Sequence, residues 1–98
     1  MYDIPVLLIA FNRPDTTLEV FNFIRNIRPQ KLYVALDGPR NDKPGEDFLC
    51  REVRSIVENV DWNCKVLHKI NTANKGAEIT VSSAISWVLS LEEYAIIL

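Results

Sequence analysis

"IPVLLIAF", Ile4–Phe11, is the stretch on which the fold turns. It is a continuous apolar run, without the alternation of a strand that has one wet face. Such a run, broken at once by "NRPD", Asn12–Asp15, fits a strand covered on both faces. Outward from it the period becomes helical. Val20, Phe21, Ile24 and Ile27 fall on one side of a helix, and Pro29 stops it. Thr16-Thr17-Leu18-Glu19 fits a capping box, with Thr16 as the cap and Glu19 reaching back.

The same alternation continues to the end. "KLYVALD", Lys31–Asp37, reads as a second strand, and "GPRNDKPG", Gly38–Gly45, as a loop rich in turn residues. Leu49, Val53, Ile56, Val57 and Val60 mark the stripe of a second helix. "CKVLHKI", Cys64–Ile70, is a third strand, with His68 expected to be half-buried within it. "NTANKG", Asn71–Gly76, is a polar loop. A third helix is expected to turn Ile79, Ala84, Ile85, Val88 and Leu89 inward, and "YAIIL", Tyr94–Leu98, reads as a fourth strand. The order βαβαβαβ implies parallel strands with right-handed crossovers. The expected fold class is α/β: a three-layer α/β/α sandwich with a mostly parallel four-stranded sheet and the apolar first strand near its centre.

Composition narrows the function. The chain has 98 residues, enough for one small domain, with 48% hydrophobic and 24% charged residues, as in ordinary globular domains. The net charge of −2 supplies no basic field, so nucleic acid is not an expected partner. No apolar run approaches the roughly 20 residues of a bilayer span, so no integral membrane segment is expected. No secretion signal is visible. Cys50 and Cys64 lack the close pairing and histidine partners of a zinc site, His68 being the sole histidine. They are expected as reduced thiols in a cytoplasmic protein.

In open parallel sheets, ligands bind at the carboxyl ends of the strands, where the strand order reverses. That rule singles out "AFNRP", "DGPR" and "NTANKG". Asp37 closes the second strand and Gly38 follows. An ionised carboxylate there would accept from the imide of a uracil or the amine of a guanine; equally, Asp-Gly-Pro is good turn chemistry with no ligand. Arg13 offers a planar fork of donors to a phosphate, or pairs with Asp15. Asn74, Lys75 and Gly76 precede the third helix, where backbone N–H groups favour an anion, or form an ordinary loop and cap. The other nucleotide folds lack their marks. The first turn, "AFNRPDTT", has no glycine for a dinucleotide fingerprint, and no phosphate-loop run exists. Lys69-Ile70 stands where a phospho-acceptor aspartate would be expected, and one histidine in a strand gives no nucleophile–base pair.

"PVLLIAFNRPDTT", the strand ending "ALDGPR", then "NTANKGAEITVSSAISWVL" and "YAIIL", together resemble the N-terminal half of GT-A fold glycosyltransferases. The likeness is to bacterial sugar-transferase-like sequences related to the N-acetylglucosaminyltransferase I group, and it spans the whole chain in order. It implies a single nucleotide-sugar-binding domain over residues 1–98 and a nucleotide-sugar donor, commonly a UDP-sugar. It places the backbone of Ala10 and Phe11 beside the base, with Asn12 next to them. It brings Arg13 to the diphosphate, Asp37 with Gly38 to the uracil edge, and Asn74, Lys75 and Gly76 to the nucleotide side of the pocket. It also implies an acidic motif after the fourth strand, holding Mn²⁺ or Mg²⁺ against the diphosphate. On that comparison the sequence is expected to stop just short of the metal motif, so that no residue within it serves as metal ligand or catalytic base and the piece alone is inactive. A non-catalytic α/β interaction module is the alternative expectation. Whichever holds, an apolar terminal strand with an open edge is expected to pair with a second copy or exchange elements with it.

Overall fold

A computed structural model describes residues 3–98. Its elements are β1 (Val6–Ala10), α1 (Pro14–Ile27), β2 (Lys31–Leu36), α2 (Glu46–Val57), β3 (Lys65–Ile70), α3 (Ala77–Leu89) and β4 (Ile96–Ile97). The four strands form one sheet in the order β3-β2-β1-β4. Every pairing is parallel, with Leu8 opposite Val34, Val34 opposite His68, and Val6 opposite Ile96. The α/β/α expectation holds, and β1 lies inside the sheet.

Strand periodicity explains why "IPVLLIAF" has no polar member. Val6 and Leu8 turn to one face, where Leu32, Val34 and Leu36 join Phe21 and Ile24 of α1, Val53 and Val57 of α2, and Trp62. Leu7, Tyr33 and Ala35 turn to the other, against Ala84 and Val88 of α3. Each fully buried aliphatic or aromatic side chain contributes about 1.5–3 kcal/mol of transfer free energy. Trp62 also donates its indole N–H to Pro29 O at 2.9 Å, so its polar edge is satisfied inside the core. At the opposite end of β2 from Asp37, the Tyr33 hydroxyl and Lys31 Nζ both donate to Glu92 Oε2, at 2.6 and 2.7 Å.

The crossovers place the site. α1 and α2 lie on one face as the chain steps from β1 out to β3. α3 then crosses on the opposite face and delivers β4 to the far side of β1. The strand order therefore reverses between β1 and β4, which opens a crevice at their carboxyl ends.

Four local expectations change. α1 begins at Pro14, whose missing N–H and fixed φ suit the first helical position. Thr16 is thus inside the first turn rather than at the cap; its N–H is taken by Asp15 Oδ1 at 2.8 Å, and no capping box forms. Ile79 and Leu89 of α3 are not inward: they are 56% and 52% exposed. α3 is apolar on several sides, so its stripe is ambiguous from sequence, and Thr80, Ala84 and Val88 are the residues that face the sheet. His68 is exposed, because β3 is an edge strand with incomplete cover. β4 is shorter than "YAIIL": Tyr94 is exposed, and the ladder to β1 begins at Ile96 and runs to Leu98, whose N–H donates to Leu7 O and whose carbonyl accepts from Ile9 N. Cys50 and Cys64 are free thiols. Among the described residues, no helix is long and apolar enough to cross a membrane.

Candidate functional site

The sheet ladder runs to the very end of each inner strand. Asp37 N donates to Ala10 O at 3.1 Å, and Asn71 N donates to Leu36 O at 2.9 Å. These bonds bring three loops level with one another: residues 11–13 after β1, 37–45 after β2 and 71–76 after β3. A cavity of about 470 Å³ opens among them at the β1–β4 crevice. Its wall includes Ala10, Phe11, Asn12, Arg13, Asp37, Asn74 and Gly76, so seven of the nine expected residues share one space. Gly38 and Lys75 do not line it; they hold its edge from behind.

Asp37 is the hub of that edge. Its Oδ1 accepts from Gly38 N (2.9 Å), Asn71 Nδ2 (3.1 Å) and Lys75 N (2.9 Å). Its Oδ2 accepts from Asn74 Nδ2 (3.0 Å) and Gly76 N (3.1 Å). A carboxylate has about four lone-pair directions, and these five donors fill them. The group is 5% exposed. Burial pushes its pKa up, but the hydrogen bonds, led by Lys75 N–H with Asn71 and Gly38 behind it, outweigh that and hold it below the ordinary value. The expected role of an open acceptor for a base edge does not describe this carboxylate. It binds the chain's own loop and fixes the start of α3.

Gly38 is required there by space rather than by backbone angle. A Cβ at this position would lie 2.7 Å from Ala73 C and Asn71 O and 2.8 Å from Ala73 N, all backbone atoms. The two loops approach so closely that only glycine fits.

A second buried carboxylate, Glu46, ties the other side of the crevice. It is 5% exposed at the first turn of α2. Oε1 accepts from Arg40 N (2.8 Å) and Arg40 Nε (2.9 Å); Oε2 accepts from Arg40 Nη2 (2.6 Å) and Asn12 Nδ2 (3.0 Å). The Arg40 guanidinium beside it, with Asn12, draws its carboxyl down to about 2. The same guanidinium sits 5.7 Å over the Phe11 ring. Asn12 and Phe11 are thus positioned by α2, not only by their own loop.

Arg13 differs from Arg40. It is exposed at the mouth and has no ion pair among the described residues, Asp15 having turned to the Thr16 N–H. It is the guanidinium left available to an anion.

Sequence reading missed Arg40, Glu46, Thr17 and Thr80. For the two threonines a signal existed. Thr17 stands at helical spacing with Phe21 and Ile24, and Thr80 with Ala84 and Val88, which puts both on buried stripes. Arg40 and Glu46 carry no such mark, because a charged pair six residues apart across a loop has no fixed geometry until the loop is folded. Comparison with protein-family models, with curated proteins and with solved structures gives no match.

Proposed function

We propose that the crevice binds the nucleotide-diphosphate portion of a sugar donor, most simply a UDP-sugar, and that this chain is the donor-binding part of a metal-dependent glycosyltransferase working in the cytoplasm. One observation carries the reading: a ligand-sized cavity at the switch point of a parallel sheet, with Arg13 at its mouth and in no ion pair among the described residues. The first turns of α1 and α3 border the same space, but each helix start already meets a carboxylate, Asp15 at the Thr16 N–H and Asp37 at those of Lys75 and Gly76, so the attraction for an anion is left to Arg13.

The reading calls for Mn²⁺ or Mg²⁺ at the diphosphate. Among the described residues no group of three or more His, Cys, Asp or Glu side chains gathers to hold a cation. Asp37, which lines the cavity, and Glu46, which holds Asn12 and Arg40 at its wall, are committed to internal donors. The residues present do not fit a metal centre, and no step is derived through one. The proposed partners are the donor and, through the open edge of β4, a second copy of the chain; light scattering that shows a monomer at every concentration would remove the second.

Titration of ¹⁵N-labelled protein with UDP and UDP-glucose tests the main proposal. The expected result is weak binding, Kd on the order of 1 mM, with shifts centred on the amides of Ala10–Arg13 and Asn74–Gly76. Loss of that response in Arg13→Gln would support it; no response in the native protein would reject it. The alternative, a non-catalytic interaction module, draws on one specific observation: the Asp37 carboxylate is consumed by the chain's own loop.

A further inference from the structure

Four polar or charged side chains are buried among the described residues: Thr17, Asp37, Glu46 and Thr80. Three have assigned hydrogen-bond partners. Asp37 and Glu46 are saturated as described, and the Thr80 oxygen accepts from Asn71 Nδ2 at 3.3 Å beside the Asp37 cluster. Thr17 is 5% exposed and its hydroxyl bonds to no described residue. Hydroxyls along α3 and at its end show the alternative: Ser82 and Ser83 donate to Ile79 O, and Ser90 to Trp87 O. Among the described residues, no buried side-chain nitrogen or oxygen is wholly enclosed without a partner. The Thr17 oxygen is therefore not sealed in, and Thr17 lines the cavity.

Away from Asn12, Arg13 and Thr16, the lining beside Thr17 is apolar. Leu8, Ala10 and Val20, which pack together on the α1 face, border the cavity with Thr17. The cations stand elsewhere, Arg13 exposed at the mouth and Arg40 bound to Glu46. A charged group drawn down among these apolar walls would lose its water with no counter-ion to replace it. An uncharged ring with a hydrogen-bonding edge suits them, since a hydroxyl both donates and accepts.

Resting on the nucleotide-sugar reading, we infer that the Thr17 hydroxyl is a specificity determinant: it holds the edge of the donor's uncharged ring on the apolar floor of the cavity, with the diphosphate outside beside Arg13. Both the base and the sugar of the donor have this chemistry, and the test separates them.

The experiment is an NMR titration of the full chain with uridine, methyl glucoside, pyrophosphate and UDP-glucose, for the native protein and for Thr17→Val, Thr17→Ser and Arg13→Gln. Thr17→Val keeps the shape and removes the hydroxyl; its amide spectrum checks the fold, and Thr17→Ser returns the hydroxyl. Thr17→Val is expected to weaken UDP-glucose and one of the two neutral rings about fivefold, the size of one lost hydrogen bond, while pyrophosphate is unchanged. Thr17→Ser restores the affinity. Arg13→Gln gives the reverse pattern, weakening pyrophosphate and UDP-glucose but not the neutral ring. Whether uridine or methyl glucoside responds identifies the ring. Equal affinities of Thr17→Val and native protein for every ligand overturn the inference and leave the nucleotide-sugar reading standing. Loss of pyrophosphate binding in Thr17→Val also overturns it, because charge would then lie at the floor. No response of any cleft amide to UDP-glucose in the native protein rejects the nucleotide-sugar reading itself, and this inference falls with it.

Discussion

The side-chain amide of Asn74 bridges the ends of two loops: Nδ2 donates to Asp37 Oδ2 and to Gly38 O, each at 3.0 Å. Asn74 is thus part of the wall, and removing it is a mild lesion. Asn74→Ala is expected to cost about 1–2 kcal/mol in urea unfolding, since Lys75 and Gly76 still donate to the carboxylate. Asp37→Ala leaves several donors in a buried site without an acceptor and is expected to cost about 3 kcal/mol or more. The double variant should cost less than the sum, because the two residues act on one network. Additive costs would show that they do not.

Gly38→Ala tests the close approach of the loops. Its methyl group would meet backbone atoms at 2.7 Å, and backbone cannot swing away as a side-chain tip does. The expected cost is about 1–3 kcal/mol, with the amides of residues 71–76 shifted most. A melting temperature equal to that of the native protein would contradict the contact.

Acid should loosen the site through Glu46. Its folded pKa, about 2, lies below the ordinary 4.5, so the unfolded chain takes up its proton first as pH falls. The Arg40–Glu46 contribution is then full above about 4.5 and is lost as pH drops towards about 2. Asp37, also held low, adds to the same acid arm. Glu46→Gln is expected to flatten the fall in stability across this window, measured by urea midpoints at a series of pH values. An unchanged acid arm would mean that Glu46 has no such role.

Alkali acts at the opposite end of β2. Burial, and the Glu92 carboxylate bonded to its hydroxyl, push Tyr33 up to about 12 from the ordinary 10. The unfolded chain releases this proton first as pH rises, so the contribution is intact below about 10 and fades as pH climbs through about 12. Tyr33→Phe is expected to lose about 1 kcal/mol at neutral pH and to show a shallower alkaline decline. The phenolate absorbance of the native protein should rise later than that of free tyrosine for one of its phenols.

The sheet was legible in the sequence because its inner strands carry their burial in their composition: Ile4–Phe11 is apolar throughout, and β1 within it is covered by α1 on one face and α3 on the other. The joining of "AFNRP", "DGPR" and "NTANKG" followed from topology alone. The roles within that cluster did not. Asp37 looked like an acceptor for a ligand because sequence shows which group can accept and not how many N–H donors a neighbouring loop will bring. Glu46 lies in a charged stretch beside Asp47, and nothing local tells which of the two turns inward. α3 misled for the opposite reason, since apolar residues on several sides leave the period without a preferred phase.

The two flanks of the sheet are chemically unequal. β3 meets water with His68 and with Lys65 and Lys69, whose charges oppose the addition of another strand, whereas β4 offers Ile97 and no charge. Growth of the sheet is therefore directed to one side, and that side is the one where Leu98 borders the cavity. A strand laid beside β4 would lie next to Leu98 at the border of the ligand space, so lengthening the sheet would also bear on the shape of the pocket.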